Sequence, residues 1–288
     1  MAESSEREDR NLVLYFLVAF AWSWFFWILR TTLSIPMSEA LGFSLNLMGV
    51  FGPFASAFIL TYFNQGTEGV KKLLKRGLDL KFGKKWFIPI LLLFPAIDGS
   101  VVLVATFTEG VNIDLSWISN PLFVAVELLV VFILTCFLAA GEEFGWRGYA
   151  LRRLEAHFSA ITSSLLLGII WWAWHIPVFS IVGGFSGSEN AYAWQFVLGY
   201  FITIVAYSVL FTWIYNNTEG SILAVILFHA ILNLSAYAIV SVASQVPRYS
   251  IPYFYAITTP VAIAIAIVTV YGPKRLAPQT KKQTEVKL

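Results

Sequence analysis

Apolar positions in this chain run together in long blocks instead of alternating with polar ones. Eight blocks, roughly 12–29, 41–63, 86–107, 121–140, 159–182, 194–215, 222–242 and 253–271, are separated by short polar segments. The hydrocarbon core of a bilayer is about 30 Å thick and a helix rises about 1.5 Å per residue, so about 20 apolar residues cross it. A single segment in lipid satisfies its backbone only as a helix. The pattern therefore predicts an all-α, polytopic integral membrane bundle of about eight transmembrane helices. One domain is expected over 12–271, with a charged segment, 1–11, before it and a basic tail, 272–288, after it. The first block reads as a retained span, because no small-residue cleavage site with a soluble domain follows it. Gly52-Pro53, Pro89 and Pro95 fall inside blocks, where packed membrane helices tolerate them. Trp86, Trp194, Tyr215 and Tyr271 sit near block ends, as interfacial belts require.

Composition sharpens this picture. Hydrophobic residues make up 58% of the chain and charged ones 12%, about half the charge of an ordinary soluble domain, and the mean hydropathy is +0.73. One cysteine, Cys136, lies in the fourth block; it rules out an intrachain disulfide and reads as a small buried hydrophobe. Gly183-Gly184 and the residues to Asn190 read as an outer loop, not a phosphate cradle, since no lysine or helix-opening pattern accompanies them.

The placement of charge orients the bundle. With eight alternating spans and the N-terminus inside, the inner segments hold Arg7, Arg10, seven basic residues between Lys71 and Lys85, Arg147, Arg152, Arg153 and five more after Gly272. Only Arg30 and Arg248 fall outside. This positive-inside bias predicts a multi-pass protein of the cell membrane with both termini cytoplasmic. The basic loop 71–85 is expected to set topology and meet anionic lipid headgroups; it has no features of a nucleic-acid site.

Ionisable side chains inside the blocks are costly in lipid and are functional candidates by default. They are Asp98, Glu127, Glu142, Glu143, Arg147, His175 and His229, with Asn233 as a polar neighbour. His157, among Arg152, Arg153 and Glu155, reads as solvated. Glu143 and Arg147 are four apart and share a helix face, whereas Glu142 points about 100° away. One carboxylate can thus be neutralised while the other, in a low-dielectric cleft, serves as a general base. An interfacial salt-bridge cluster at the end of the fourth span is the structural alternative. His175 ends the string W-W-A-W-H deep in the fifth block, with the Trp171 ring one turn back. His229 and Asn233, again four apart, present a ring nitrogen and a carboxamide to one side, a donor pair suited to an oxyanion. Interhelical hydrogen bonding is the alternative for each histidine. An acid cluster, two histidines and an asparagine on three different spans exceed what packing requires.

E-E-x-x-x-R, an aromatic-x-x-x-H and F-H-x-x-x-N, in that order on successive spans, resemble the CPBP family. That family comprises CAAX prenyl proteases of the Rce1 type and bacteriocin-processing or immunity proteins. The motifs cover Glu142 to Asn233, and the eight-span layout extends the likeness. The second motif usually opens with Phe; this chain has Trp171. The resemblance implies an intramembrane endopeptidase acting on a peptide or lipidated peptide. Glu142 would activate water, His175 would partner it in proton transfer, and His229 and Asn233 would stabilise the oxyanion. Glu143, Arg147 and Trp171 would support them. The family has also been described as zinc metalloproteases. Glu142, His175 and His229 are a feasible zinc set, but no H-E-x-x-H is present and the metal-free reading is preferred. A proton-coupled transporter and a non-catalytic, immunity-type membrane protein are the rival classes; no internal repeat supports the first.

One point of geometry resists this reading. With span four ending near Glu142 and span five starting near Ser159, His175 would lie ~24 Å along its helix from the end where Glu142 sits. The residues meet only if the fourth helix continues past Glu142 and span five is tilted or begins outside the hydrocarbon.

Overall fold

A computed structural model describes residues 2–114, 116–181, 193–242 and 250–278. The outer loop 183–190, Arg248 and the end of the tail lie outside the described residues. The described chain is helical: α1 (Ala2–Thr32), α2 (Ala40–Val50), α3 (Gly52–Arg76), α4 (Phe87–Glu109), α5 (Pro121–Gly145), α6 (Arg152–His157), α7 (Ala160–Trp174), α8 (Ile176–Ile181), α9 (Ala193–Asn217), α10 (Ile222–Val242) and α11 (Ile251–Tyr271). Among the described residues seven segments are long and apolar enough to cross a membrane, and α2 with α3 make an eighth when that pair, bent by 49°, counts as one span. The protein is an all-α, polytopic integral membrane bundle.

Local chemistry sets the helix starts. Pro121 occupies the first turn of α5, where its missing N–H costs nothing, and the Asn120 side chain accepts from the Phe123 N–H at 3.2 Å. Ser159 caps α7 in the same way through the Thr162 N–H.

Three blocks depart from their expected bounds. The second is broken between Val50 and Gly52, ahead of Pro53, and α3 runs on to Arg76 well past the apolar stretch. The fourth does not end near Ala140. After α5 the helix passes through a π-helical turn, Trp146–Leu151, and continues as α6 to His157. Every residue from Gly141 to Leu151 is buried, so Glu142, Glu143 and Arg147 are packed inside the bundle. The fifth is interrupted: α7 stops at Trp174, His175 is its C-cap, and α8 resumes at Ile176. Pro177 has no N–H to bond the Ala173 carbonyl, so the ladder is broken at the histidine before α8.

These corrections remove the geometric difficulty. Glu142 lies fifteen residues before the end of α6, and His175 fifteen residues after the start of α7. Each is therefore ~22 Å from the same α6–α7 turn, and the two come level. α10 reaches the same level sooner because it starts deeper: a side chain at Gly148 would press on Ile222.

Packing brings the site helices together around small residues. α7 lies against α9, and α10 against α5 and α4. A Cβ at Gly168 would lie 2.9 Å from the Val205 Cα, and one at Gly145 would lie 2.6 Å from the Pro53 carbonyl carbon; both contacts need glycine for the backbones to close. Tyr15, Trp27, Trp146, Trp171, Trp174 and Phe211 fill the interior. At the basic end, the first tail residues fold across the bundle. Lys274 and Pro273 carbonyls accept the first free N–H groups of α7, from Ala160 at 2.9 Å and Ile161 at 3.0 Å. The basic loop, α6 and the tail start thus gather at one end, as the charge pattern requires, while Arg147 is sealed in the interior.

Candidate active site

Glu143 is fully buried and makes three short contacts. Arg147 Nη1 donates to its two oxygens at 2.9 and 3.0 Å, and His229 Nδ1 lies 2.8 Å from Oε1. The expected i, i+4 pair is present, and it carries a histidine from α10 as well. A buried ion pair repays its desolvation only with such extra partners. Arg147 Nε and Nη2 find no oxygen; instead the guanidinium lies over the Trp171 and Phe211 rings, 4.8 and 4.4 Å from their centroids, where the ring faces favour a cation.

Glu142 faces another way, as the helical offset predicts. Its Oε2 accepts from the Trp171 indole N–H at 2.7 Å, and Oε1 makes no hydrogen bond with a described residue. Trp171 also holds His175. At the end of α7 the His175 N–H turns back to the Trp172 carbonyl, which frees the Trp171 carbonyl for the imidazole Nδ1 at 2.8 Å. A carbonyl only accepts, so Nδ1 carries the proton and Nε2 presents a lone pair. Acid and imidazole do not touch; one residue positions both, through its side chain and its backbone.

His229 and Asn233 share the α10 face expected of them. A carboxylate holds the Nδ1 proton of His229, which leaves Nε2 as its outward atom. Asn233 is half-buried and makes no hydrogen bond with a described residue. Trp171 and Phe211 pack edge-on against the His229 ring at 5.6 and 5.3 Å. Both imidazoles lie within coulombic reach of Glu142.

Among the described residues no three His, Cys, Asp or Glu side chains are grouped so that they could hold a metal ion.

The remaining candidates fall elsewhere. Glu127 accepts from the Tyr237 hydroxyl and takes no part in the cluster. Asp98 faces Ser235, with one buried oxygen unpaired. His157 is exposed at the end of α6. Cys136 is half-buried on α5, not sealed as expected. A search confined to ionisable residues overlooks the aromatic walls. Phe211 supplies the second ring over Arg147, and Tyr200 lies 5.7 Å from the His175 ring. Only position within the bundle distinguishes them from the other aromatics of their block.

A carboxylate and two imidazoles from three helices thus gather inside a membrane bundle. Residues 123–235 match the family model described as type II CAAX prenyl endopeptidase Rce1-like. Over 227 residues, 78% of this chain and 83% of the relative, the sequence is 28% identical to a protein named CAAX prenyl protease 2 from Methanococcus maripaludis. By these two likenesses the chain is a membrane-embedded peptidase similar to Rce1-like CAAX prenyl endopeptidases.

Proposed function

We propose that this protein hydrolyses a peptide bond in a membrane-proximal segment, with prenylated CAAX-type tails as the substrate class, by metal-free water activation. The observation that carries the reading is a division of labour between neighbouring carboxylates. Glu143 is sealed by Arg147 and His229, whereas Glu142 keeps one oxygen without a protein partner. Among the described residues His175 Nε2 and Asn233 are likewise without hydrogen-bond partners, which leaves three polar groups for water and substrate.

In the proposed mechanism Glu142 Oε1 takes a proton from a water molecule as the oxygen attacks the scissile carbonyl carbon. His175 Nε2 accepts a hydrogen bond from the same water and orients it. The tetrahedral oxyanion is met by the Asn233 carboxamide and by His229. Since the Nδ1 proton of His229 is directed at Glu143, the residue donates from Nε2 only as the imidazolium, which the Glu143 carboxylate balances. The proton held by Glu142 then passes to the departing amine as the C–N bond breaks. The site is expected to open toward the cytoplasm, the side on which the charge pattern places both termini.

The test is cleavage of a prenylated peptide with a tetrapeptide tail by the purified protein. Glu142→Ala and His175→Ala should each be inactive and folded, and His157→Ala near wild type. An active His175→Ala protein beside an inactive His157→Ala one would overturn the assignment. Activity should survive chelation. Stoichiometric zinc, with activity lost on its removal and restored on its return, would refute the metal-free mechanism and leave the peptidase standing.

A further inference from the structure

The basic end of the bundle contains a cavity that the peptidase reading leaves unused. It occupies about 370 Å³ between α3 and the π turn with α6. Gln65, Lys72 and Arg76 line one wall, and Tyr149, Arg152 and Arg153 the other. Lys72 and Arg76, one turn apart beyond the kink in α3 at Gly66, present one stripe of the helix to the cavity. No acidic side chain lines it among the described residues.

Its cations differ in what they already do. Arg76 is an anchor: its guanidinium donates to the Gly148 carbonyl at 3.1 Å, the Gly220 carbonyl at 3.2 Å and the Tyr215 hydroxyl. All three acceptors are neutral, so its charge is fixed in place but not cancelled. Arg153 donates to the Tyr149 carbonyl at 2.8 Å and lies over the Tyr149 ring. Lys72 and Arg152, one from each wall, have no hydrogen-bond or ion-pair partner among the described residues. This contrasts with Lys71, one residue away, which pairs with Glu68 at 2.8 Å.

We propose that this cavity binds a phosphate group, and that its source is the headgroup of an anionic phospholipid. Two converging, uncompensated cations with a fixed third match the charge and hydrogen-bond appetite of a phosphate better than that of a zwitterionic headgroup. The surface beside the cavity favours a lipid over a free ion. Tyr62 and Phe63 of α3 follow the lining residue Thr61 and are 54% and 76% exposed, which provides an apolar track for an acyl chain.

The experiment is native mass spectrometry of the detergent-solubilised full chain titrated with phosphatidylglycerol, phosphatidylcholine or inorganic phosphate. Wild type should retain phosphatidylglycerol in preference to phosphatidylcholine. Lys72→Gln with Arg152→Gln should weaken that retention roughly 20- to 30-fold, about fivefold for each basic side chain removed, with an unchanged melting temperature. The equal-charge control Lys81→Gln with Lys84→Gln, on exposed positions of the same basic loop, should leave it intact. Saturable binding of inorganic phosphate, lost in the same variant and unaffected by phosphatidylglycerol, would support a phosphate site while overturning the lipid source. Equal losses in both variant pairs, or none in either, would overturn the site itself.

Discussion

Replacing Trp171 with Phe isolates one atom group in the proposed mechanism. Phe keeps an aromatic face toward His229, Phe211 and Arg147, and the backbone carbonyl that holds His175 is untouched. The indole N–H that bonds Glu142 Oε2 at 2.7 Å is lost. A hydrogen bond to a charged group contributes about 1.5–3 kcal/mol. If that bond fixes the carboxylate for attack, the loss is felt in the transition state. At about 1.36 kcal/mol per decade, turnover should fall roughly 10- to 150-fold, while KM moves far less because no substrate contact is removed.

Trp24→Phe is the matched control. Its indole N–H also crosses between helices, donating to the Trp174 carbonyl at 3.0 Å, so the same atoms are removed one residue from His175. Its acceptor is neutral and is not the acid. Both variants should lose some stability, by about 0.5–1.5 kcal/mol for a neutral bond and more for the charged one. Only Trp171→Phe should lose kcat. Steady-state kinetics on the prenylated peptide, with thermal unfolding of both variants, decide the matter. Equal kcat losses in both would show that the indole acts through packing alone. Wild-type turnover in Trp171→Phe would show that Glu142 needs no such anchor.

Asn233→Ala should cut turnover about 10²- to 10³-fold, the usual effect of removing one oxyanion donor, with substrate affinity nearly unchanged; single-turnover kinetics separate the two. Arg147→Ala should destabilise the protein by about 3–5 kcal/mol by leaving the Glu143 carboxylate buried with only His229, whereas Glu142→Gln should unfold near the wild-type temperature. Cysteine-accessibility labelling should find 65–85 and both termini on one side and 183–192 on the other; labelling of both loops from the same side would refute the cytoplasmic site.

The eight blocks were legible because lipid leaves the backbone no alternative to helix, and hydropathy reports that constraint directly. The three motifs were legible as chemistry because an ionisable group in an apolar run needs a reason. The course of the fourth helix was not. Glu142, Glu143, Arg147, Arg152 and Arg153 lower the local hydropathy and read as an interface, yet Glu143 and Arg147 cancel one another and the segment is sealed to Leu151. Only the partner from α10 reveals that, and its proximity is not written in local sequence. Trp171 shows a second limit. Its spacing to His175 picks it out of W-W-A-W, but the bond its indole makes is not readable there, and a departure from the Phe usual at that position reads as neutral. In the fold that departure supplies the indole donor to Glu142.

On the proposed roles, the buried cluster also explains why two adjacent carboxylates are needed. With His229 as imidazolium, Glu142 and Glu143 are balanced by His229 and Arg147, and the resting cluster is neutral. When water attacks, Glu142 gains a proton and loses its charge as the oxyanion appears beside His229 and Asn233. The negative charge moves between neighbouring positions and is never added to a poorly solvated interior, where each uncompensated unit would be expensive. A single carboxylate could not do both tasks. One bound to Arg147 would be held back from the proton, and one without such a counter-charge could not keep His229 charged at the moment its Nε2 proton is required.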